Sequence, residues 1–151
     1  MSGLPTTILI VEDDTFKYDR IIACLKNLSE RPAVKVARSV QAAVALTNEM
    51  RFDFILLDMS LPSHDLLPGG GAGSSLLSGG LEIIMELSFL KRGDCVVVIT
   101  QYPEVEIEGE LVSIANAHTT LRNLFSVNIE AVILYRHESD EWECELLNTL
   151  E

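Results

Sequence analysis

At 151 residues, 48% of them apolar, the chain has the length and hydrophobicity to bury one core as a single domain, which argues against a disordered polypeptide. Its 23 acidic against 11 basic side chains, a net charge of -12, argue against a nucleic-acid or anionic-membrane surface as the main partner, and 6% aromatic residues do not suit a base-stacking platform. The imbalance is uneven: residues 104–151 hold 11 acids and 2 bases, leaving open a face for a cation, a basic partner or a homodimer.

In chain order, the run Ile8, Leu9, Ile10, Val11 predicts a fully buried strand, and Ile21, Ile22, Leu25 and Leu28 recur at helical spacing over residues 18–28. A weak strand at residues 34–36 precedes a helix over 40–50, then a third strand at Phe54, Ile55, Leu56, Leu57. Residues 81–90 predict a third helix and 95–99 a fourth strand. Residues 111–125 carry Leu111, Ile114, Ala115, Leu121 and Leu124 on a helical pattern, 131–135 predict a fifth strand, and 142–150 a closing helix.

Five βα units in succession predict an α/β domain, a parallel sheet with helices on both faces. Right-handed crossovers bring the C-terminal ends of the strands to one edge, where ligands of open α/β sheets bind. Three strands deliver polar groups there: Val11 is followed by Glu12, Asp13 and Asp14, Leu57 by Asp58, and Ile99 by Thr100. Acids converging from two strands repel one another unless a cation sits between them, and an all-oxygen donor set selects Mg²⁺ or Mn²⁺. A hydroxyl at the next strand end suits an oxyanion beside that metal.

ILIVEDD at 8–14, FILLDMSLP at 54–62 and VVVIT at 96–100 resemble the receiver domain of two-component response regulators, and the likeness covers most of the chain. The resemblance implies a doubly wound, flavodoxin-like fold with a five-stranded parallel sheet of order 2-1-3-4-5. It implies that Asp58 is the phosphoacceptor, charged by a histidine kinase or a small phosphodonor. Asp13, Asp58 and the backbone carbonyl of Ser60 would ligate Mg²⁺ directly and Glu12 through water, while Thr100 would be the switch hydroxyl. Pro62 matches the family's loop proline. The family's lysine after the fifth strand has no counterpart, because no lysine follows Lys91; Tyr135 and Arg136 fall at that register as candidate replacements. Gln101 stands where the family has a small residue, and Val132 and Ile133 where it has a switch aromatic.

Two expansions depart from the family, at about residues 63–80 and 101–111. The first is Gly-rich but lacks the lysine of a phosphate-binding loop, so it is read as plain disorder ahead of a flexible lid or partner-contact loop. The second alternates Val105 and Ile107 with glutamates, as an exposed hairpin would. Asp14 is expected to cap the first helix, Trp142 to anchor the core, and His64, His118 and His137 to be surface or loop residues without metal-ligand spacing. Cys24, Cys95 and Cys144 lack CxxC spacing; with no signal peptide and no apolar run of about 20 residues, the expected location is the cytoplasm.

The function expected is a stand-alone, non-enzymatic signalling switch in a phosphorelay, working through contacts with a downstream protein effector. The alternative is a phosphorylation-deaf pseudo-receiver that binds protein constitutively. A phosphohydrolase is weaker, because the second acid such enzymes place two residues after the nucleophile is Ser60 here.

Overall fold

The β-branched and aliphatic runs pair side by side as parallel strands in the computed structural model, which describes residues 6–62, 75–76 and 79–151. Strands β1 (Thr7–Val11), β2 (Ala33–Ala37), β3 (Phe54–Leu57), β6 (Cys95–Thr100) and β9 (Asn128–Leu134) form one sheet of order β2-β1-β3-β6-β9. Counting these five alone in chain order, the order is the expected 2-1-3-4-5. Two short antiparallel pairs lie outside it: β4 (Leu61–Pro62) with β5 (Ser75–Leu76), and β7 (Glu104–Ile107) with β8 (Glu110–Ser113).

Alternation along the strands divides the core in two. Leu9, Val11, Ile55, Leu57, Val96 and Val98 face one side, where α2 (Val40–Glu49), α3 (Gly79–Phe89) and α4 (Ile114–Leu124) cover them. Ile8, Ile10, Leu56, Val97, Ile99 and Ile133 face the other, under α1 (Thr15–Leu25) and α5 (Glu141–Leu150). Central strands buried on both faces need continuous apolar runs, which is why β1, β3 and β6 are legible as such. Trp142 is a core anchor, 1% exposed, on α5.

Several boundaries move. Helix α1 starts at Thr15 because the Asp14 carboxylate accepts a hydrogen bond from the Lys17 amide (3.2 Å), so the cap expected of Asp14 is present, three residues before the expected first turn. The helix expected over 111–125 begins only at Ile114. Leu111 belongs to β8 and is 67% exposed, since residues 104–113 form a hairpin whose second strand consumes the first residues of the helical pattern. That hairpin is not exposed on both faces as its sequence suggested, for Val105 and Ile107 are buried on the core. Its two-residue turn has positive φ at Glu108 (51°) and Gly109 (84°), a left-handed pair for which glycine is suited at the second position. The Gly-rich stretch 69–74, residues 77–78 and His64 lie outside the described residues.

Candidate functional site

Asp58 follows β3, with β1 on one side and β6 on the other, and its amide donates to the Val11 carbonyl (3.1 Å). Glu12 follows β1 and is tied in turn to the Ala37 carbonyl (3.0 Å) at the end of β2. The parallel register, Val11 opposite Leu57, therefore puts both acids level at the same sheet edge. Asp13 joins them: ligand oxygens of Glu12, Asp13 and Asp58 all lie within 4.8 Å of one another. Glu12 and Asp58 are buried and Asp13 is half-buried.

Desolvation raises the pKa of all three carboxyls. Burial pushes Glu12 up to about 7, against the pull of the Lys17 ammonium, with Asp58 adding to the rise. Asp58 is raised chiefly by burial, opposed by Lys17 and by the Ser60 amide, which donates to Asp58 Oδ1 (3.4 Å). Burial also raises Asp13, partly countered by a hydrogen bond from its own backbone amide. Such groups favour a cation between them.

One is already present. Lys17, fully buried on the first turn of α1, donates from Nζ to Glu12 Oε1 (2.7 Å) and to the Ile99 carbonyl (2.6 Å), and lies 3.6 Å from Asp58 Oδ1. The sequence reading missed it. Starting α1 at Tyr18 left Lys17 in a loop, whereas starting after the Asp14 cap puts it on the buried stripe of Lys17, Ile21, Cys24 and Leu25. A lysine three residues after a capping aspartate, in phase with the buried face, was the available signal.

Neither candidate for the absent lysine pairs with Asp58 among the described residues. Tyr135 is buried at the end of β9, but its hydroxyl pairs with His137 Nδ1 (2.9 Å) and its ring packs edge-on to His137 and obliquely on Trp142. Arg136 is exposed, and among the described residues only Lys17 pairs with Asp58. Arg136 lies two residues past the end of β9 and is exposed, while Lys17 on the first turn of α1 is buried against Glu12 and Asp58.

Thr100 ends β6 and is fully buried; its hydroxyl oxygen accepts from the Tyr102 amide (3.3 Å). Together with Ser60, Met59 and Tyr102 it lines a cleft under the β7–β8 hairpin. Gln101 is exposed and does not fill the site. The chain after Asp58 is held down by α3: the Gly80 amide donates to the Met59 carbonyl (2.8 Å), and a Cβ at Gly80 would lie 2.5 Å from the Asp58 carbonyl. His118 is half-buried on α4 against the Ile129 carbonyl (2.6 Å) and His137 is exposed beside Tyr135, so neither joins the acids.

Three carboxylates and one ammonium leave two negative charges, the charge of one divalent cation. The donors are all oxygen and Asp13 keeps partial solvent exposure, so the residues present fit Mg²⁺ or Mn²⁺.

No protein-family model matches the chain. It is 39% identical over 139 residues to the Detocs response regulatory protein DtcB of Vibrio alginolyticus, covering 90% of this chain and 93% of that protein. Among solved structures, the Mn²⁺-bound response regulator Rcp1 superposes with a TM-score of 0.64 at 19% identity, over 95% of this chain and 91% of that one. The phosphorylated cyanobacterial phytochrome response regulator RcpA gives 0.65 at 21% identity, over 96% and 91%. These two share the fold, and the near full-length likeness to DtcB shows the family: the chain belongs to the response regulators of two-component signalling, built on their receiver domain.

Proposed function

We propose that the protein is a signalling switch that accepts a phosphoryl group on Asp58 with Mg²⁺ or Mn²⁺ as cofactor. The observation that carries this reading is the meeting of Glu12, Asp13 and Asp58 at one sheet edge, with Thr100 at the end of the adjacent strand. Asp13, Asp58 and the Ser60 carbonyl would hold the cation, and Glu12, engaged by Lys17 and the Asp14 amide (3.1 Å), would act through water. When bound, the ion supplies the charge neutralisation that lets a carboxylate approach a phosphate. An Asp58 oxygen then attacks phosphorus of a kinase phosphohistidine or a small acyl phosphate. The donor's bond to phosphorus breaks, its electron pair leaves with the donor, and an acyl phosphate remains on Asp58. The Thr100 hydroxyl, freed from the Tyr102 amide, would donate to a phosphoryl oxygen and carry the change to the hairpin. Output would pass by contact to a downstream effector rather than by turnover of a substrate.

No helix among the described residues is long and apolar enough to cross a membrane, and all three cysteines are free, which supports the reading of a protein of the reducing cytoplasm. Intact mass after incubation with Mg²⁺ and acetyl phosphate is expected to rise by one phosphoryl group, and the Asp58→Asn variant is expected to stay unchanged. One feature favours a phosphorylation-deaf binding module instead: Lys17 already compensates Glu12 and Asp58 without an ion. Mg²⁺ binding with no adduct that depends on Asp58 would establish that alternative.

A further inference from the structure

Lys17 is the most expensive feature of the site and the sheet edge alone does not explain it. Its side chain is 1% exposed, on a stripe whose other members are Ile21, Cys24 and Leu25. A long apolar residue would pack there without desolvating a charge, so stability alone does not call for an ammonium. The environment does specify one. An ammonium has three N–H donors. Two are used at hydrogen-bond distance, by Glu12 Oε1 at 2.7 Å and the Ile99 carbonyl at 2.6 Å. The Asp58 oxygen on the third side stands 3.6 Å away, within ion-pair reach but beyond a hydrogen bond. The Tyr135 ring lies 5.6 Å from Nζ to its centroid, giving the cation an aromatic neighbour at the end of β9.

We propose that Lys17, presented from the first turn of α1, is the cation that grips the phosphoryl oxygens on Asp58. This rests on the phosphoacceptor reading above. A phosphoryl group attached to Asp58 brings oxygens outward from the carboxylate, into the gap left before the third N–H. The bond between Asp58 and phosphorus forms as the acetyl phosphate P–O bond breaks and acetate leaves with the electron pair. Lys17 stays an ammonium throughout and transfers no proton. Because Nζ is anchored on the carbonyl of Ile99, the residue preceding Thr100, the same side chain ties α1 to the strand end where the hydroxyl sits. A phosphoryl group competing with Glu12 for Nζ would free the Glu12 carboxylate toward the cation.

The test uses wild type, Lys17→Met and Lys17→Gln, with Mg²⁺ and acetyl phosphate, reading the phosphorylation rate and acyl-phosphate lifetime by intact mass and the Mg²⁺ Kd by calorimetry. Both variants remove the charge, and glutamine keeps a donor for Ile99. The expected result is a rate about 10²-fold lower in both variants, as for loss of one preorganised donor, with Mg²⁺ bound as tightly or more tightly because a competing cation is gone. A merely structural lysine would weaken both properties together. Variants phosphorylated at the wild-type rate with the wild-type lifetime would overturn the assignment, and so would failure of both to fold. Wild type that binds Mg²⁺ but takes no phosphoryl group on Asp58 would overturn the phosphoacceptor reading itself, a failure visible before any Lys17 variant is measured.

Discussion

Asp94 shows how a single residue away from the site holds the scaffold that positions it. It accepts from the Phe52 amide (2.7 Å) and from Arg92 Nε and Nη2 (both 2.9 Å), while Arg92 also reaches the carbonyls of Met50 (2.9 Å) and Thr47 at the end of α2. This pins the loop before β3, and so the approach to Asp58, to the loop before β6. Burial alone would raise the Asp94 pKa, but the Arg92 and Phe52 donors outweigh it and hold it below the usual 3.8. A lowered folded pKa means that the ionised group stabilises the fold above about pH 4 and that this contribution is lost as pH falls through the folded value. Asp94→Asn is therefore expected to destabilise by about 3 kcal/mol at pH 7, because Arg92 is left buried without its counter-charge. Urea titrations at several pH values check it: the gap between variant and wild type should close below about pH 4.

At the scale of elements, the site depends on how closely α3 approaches the chain leaving β3. Gly79 and Gly80 open that helix against Leu61 and Asp58, and added Cβ atoms would stand 2.7 Å from the Leu61 carbonyl and 2.5 Å from the Asp58 carbonyl. Those neighbours are backbone, so relief requires the segment carrying Asp58 to move. Gly80→Ala is expected to destabilise by about 2 kcal/mol, the scale of overpacking, and to weaken Mg²⁺ binding although no ligand is altered. Thermal unfolding with and without Mg²⁺ measures both effects. The hairpin β7–β8 makes the opposite point about legibility. Its alternation of Val105 and Ile107 with glutamates was readable as a hairpin, but Leu111 fits helical spacing equally well, and only pairing with Glu106 decides that it is strand.

Across the whole molecule, a net charge of -12 and a carboxylate cluster at one sheet edge lead to the expectation that divalent ions stabilise the fold. Glu12 is raised from an ordinary 4.5 to about 7, so between those pH values the metal-free fold holds a proton that the unfolded chain has lost. In the absence of metal its contribution to stability is thus greatest at low pH and falls as pH rises through about 7. A bound cation reverses that trend by favouring the ionised form. Mg²⁺ at 100 times its Kd is expected to stabilise the protein by about 2.7 kcal/mol, with the gain in melting temperature larger at pH 8 than at pH 6. Differential scanning calorimetry checks it, and Asp13→Asn should abolish most of the gain.

The sequence by itself determined the parallel sheet and the meeting of Glu12, Asp13 and Asp58 at one edge, while the strand order followed from the resemblance to receiver domains. Strands buried on both faces must be written as unbroken apolar runs, and parallel crossovers leave their ends on one edge. It also showed that no lysine follows the last strand, and the register pointed to Tyr135 and Arg136 in its place. Only the tertiary structure showed that an ammonium from α1, that of Lys17, lies against Glu12 and Asp58. Charge in a folded protein acts through distance rather than through position in the chain. The Lys17 side chain, 41 residues before Asp58, reaches its carboxylate across the top of β1, while Arg136 at the expected register faces water.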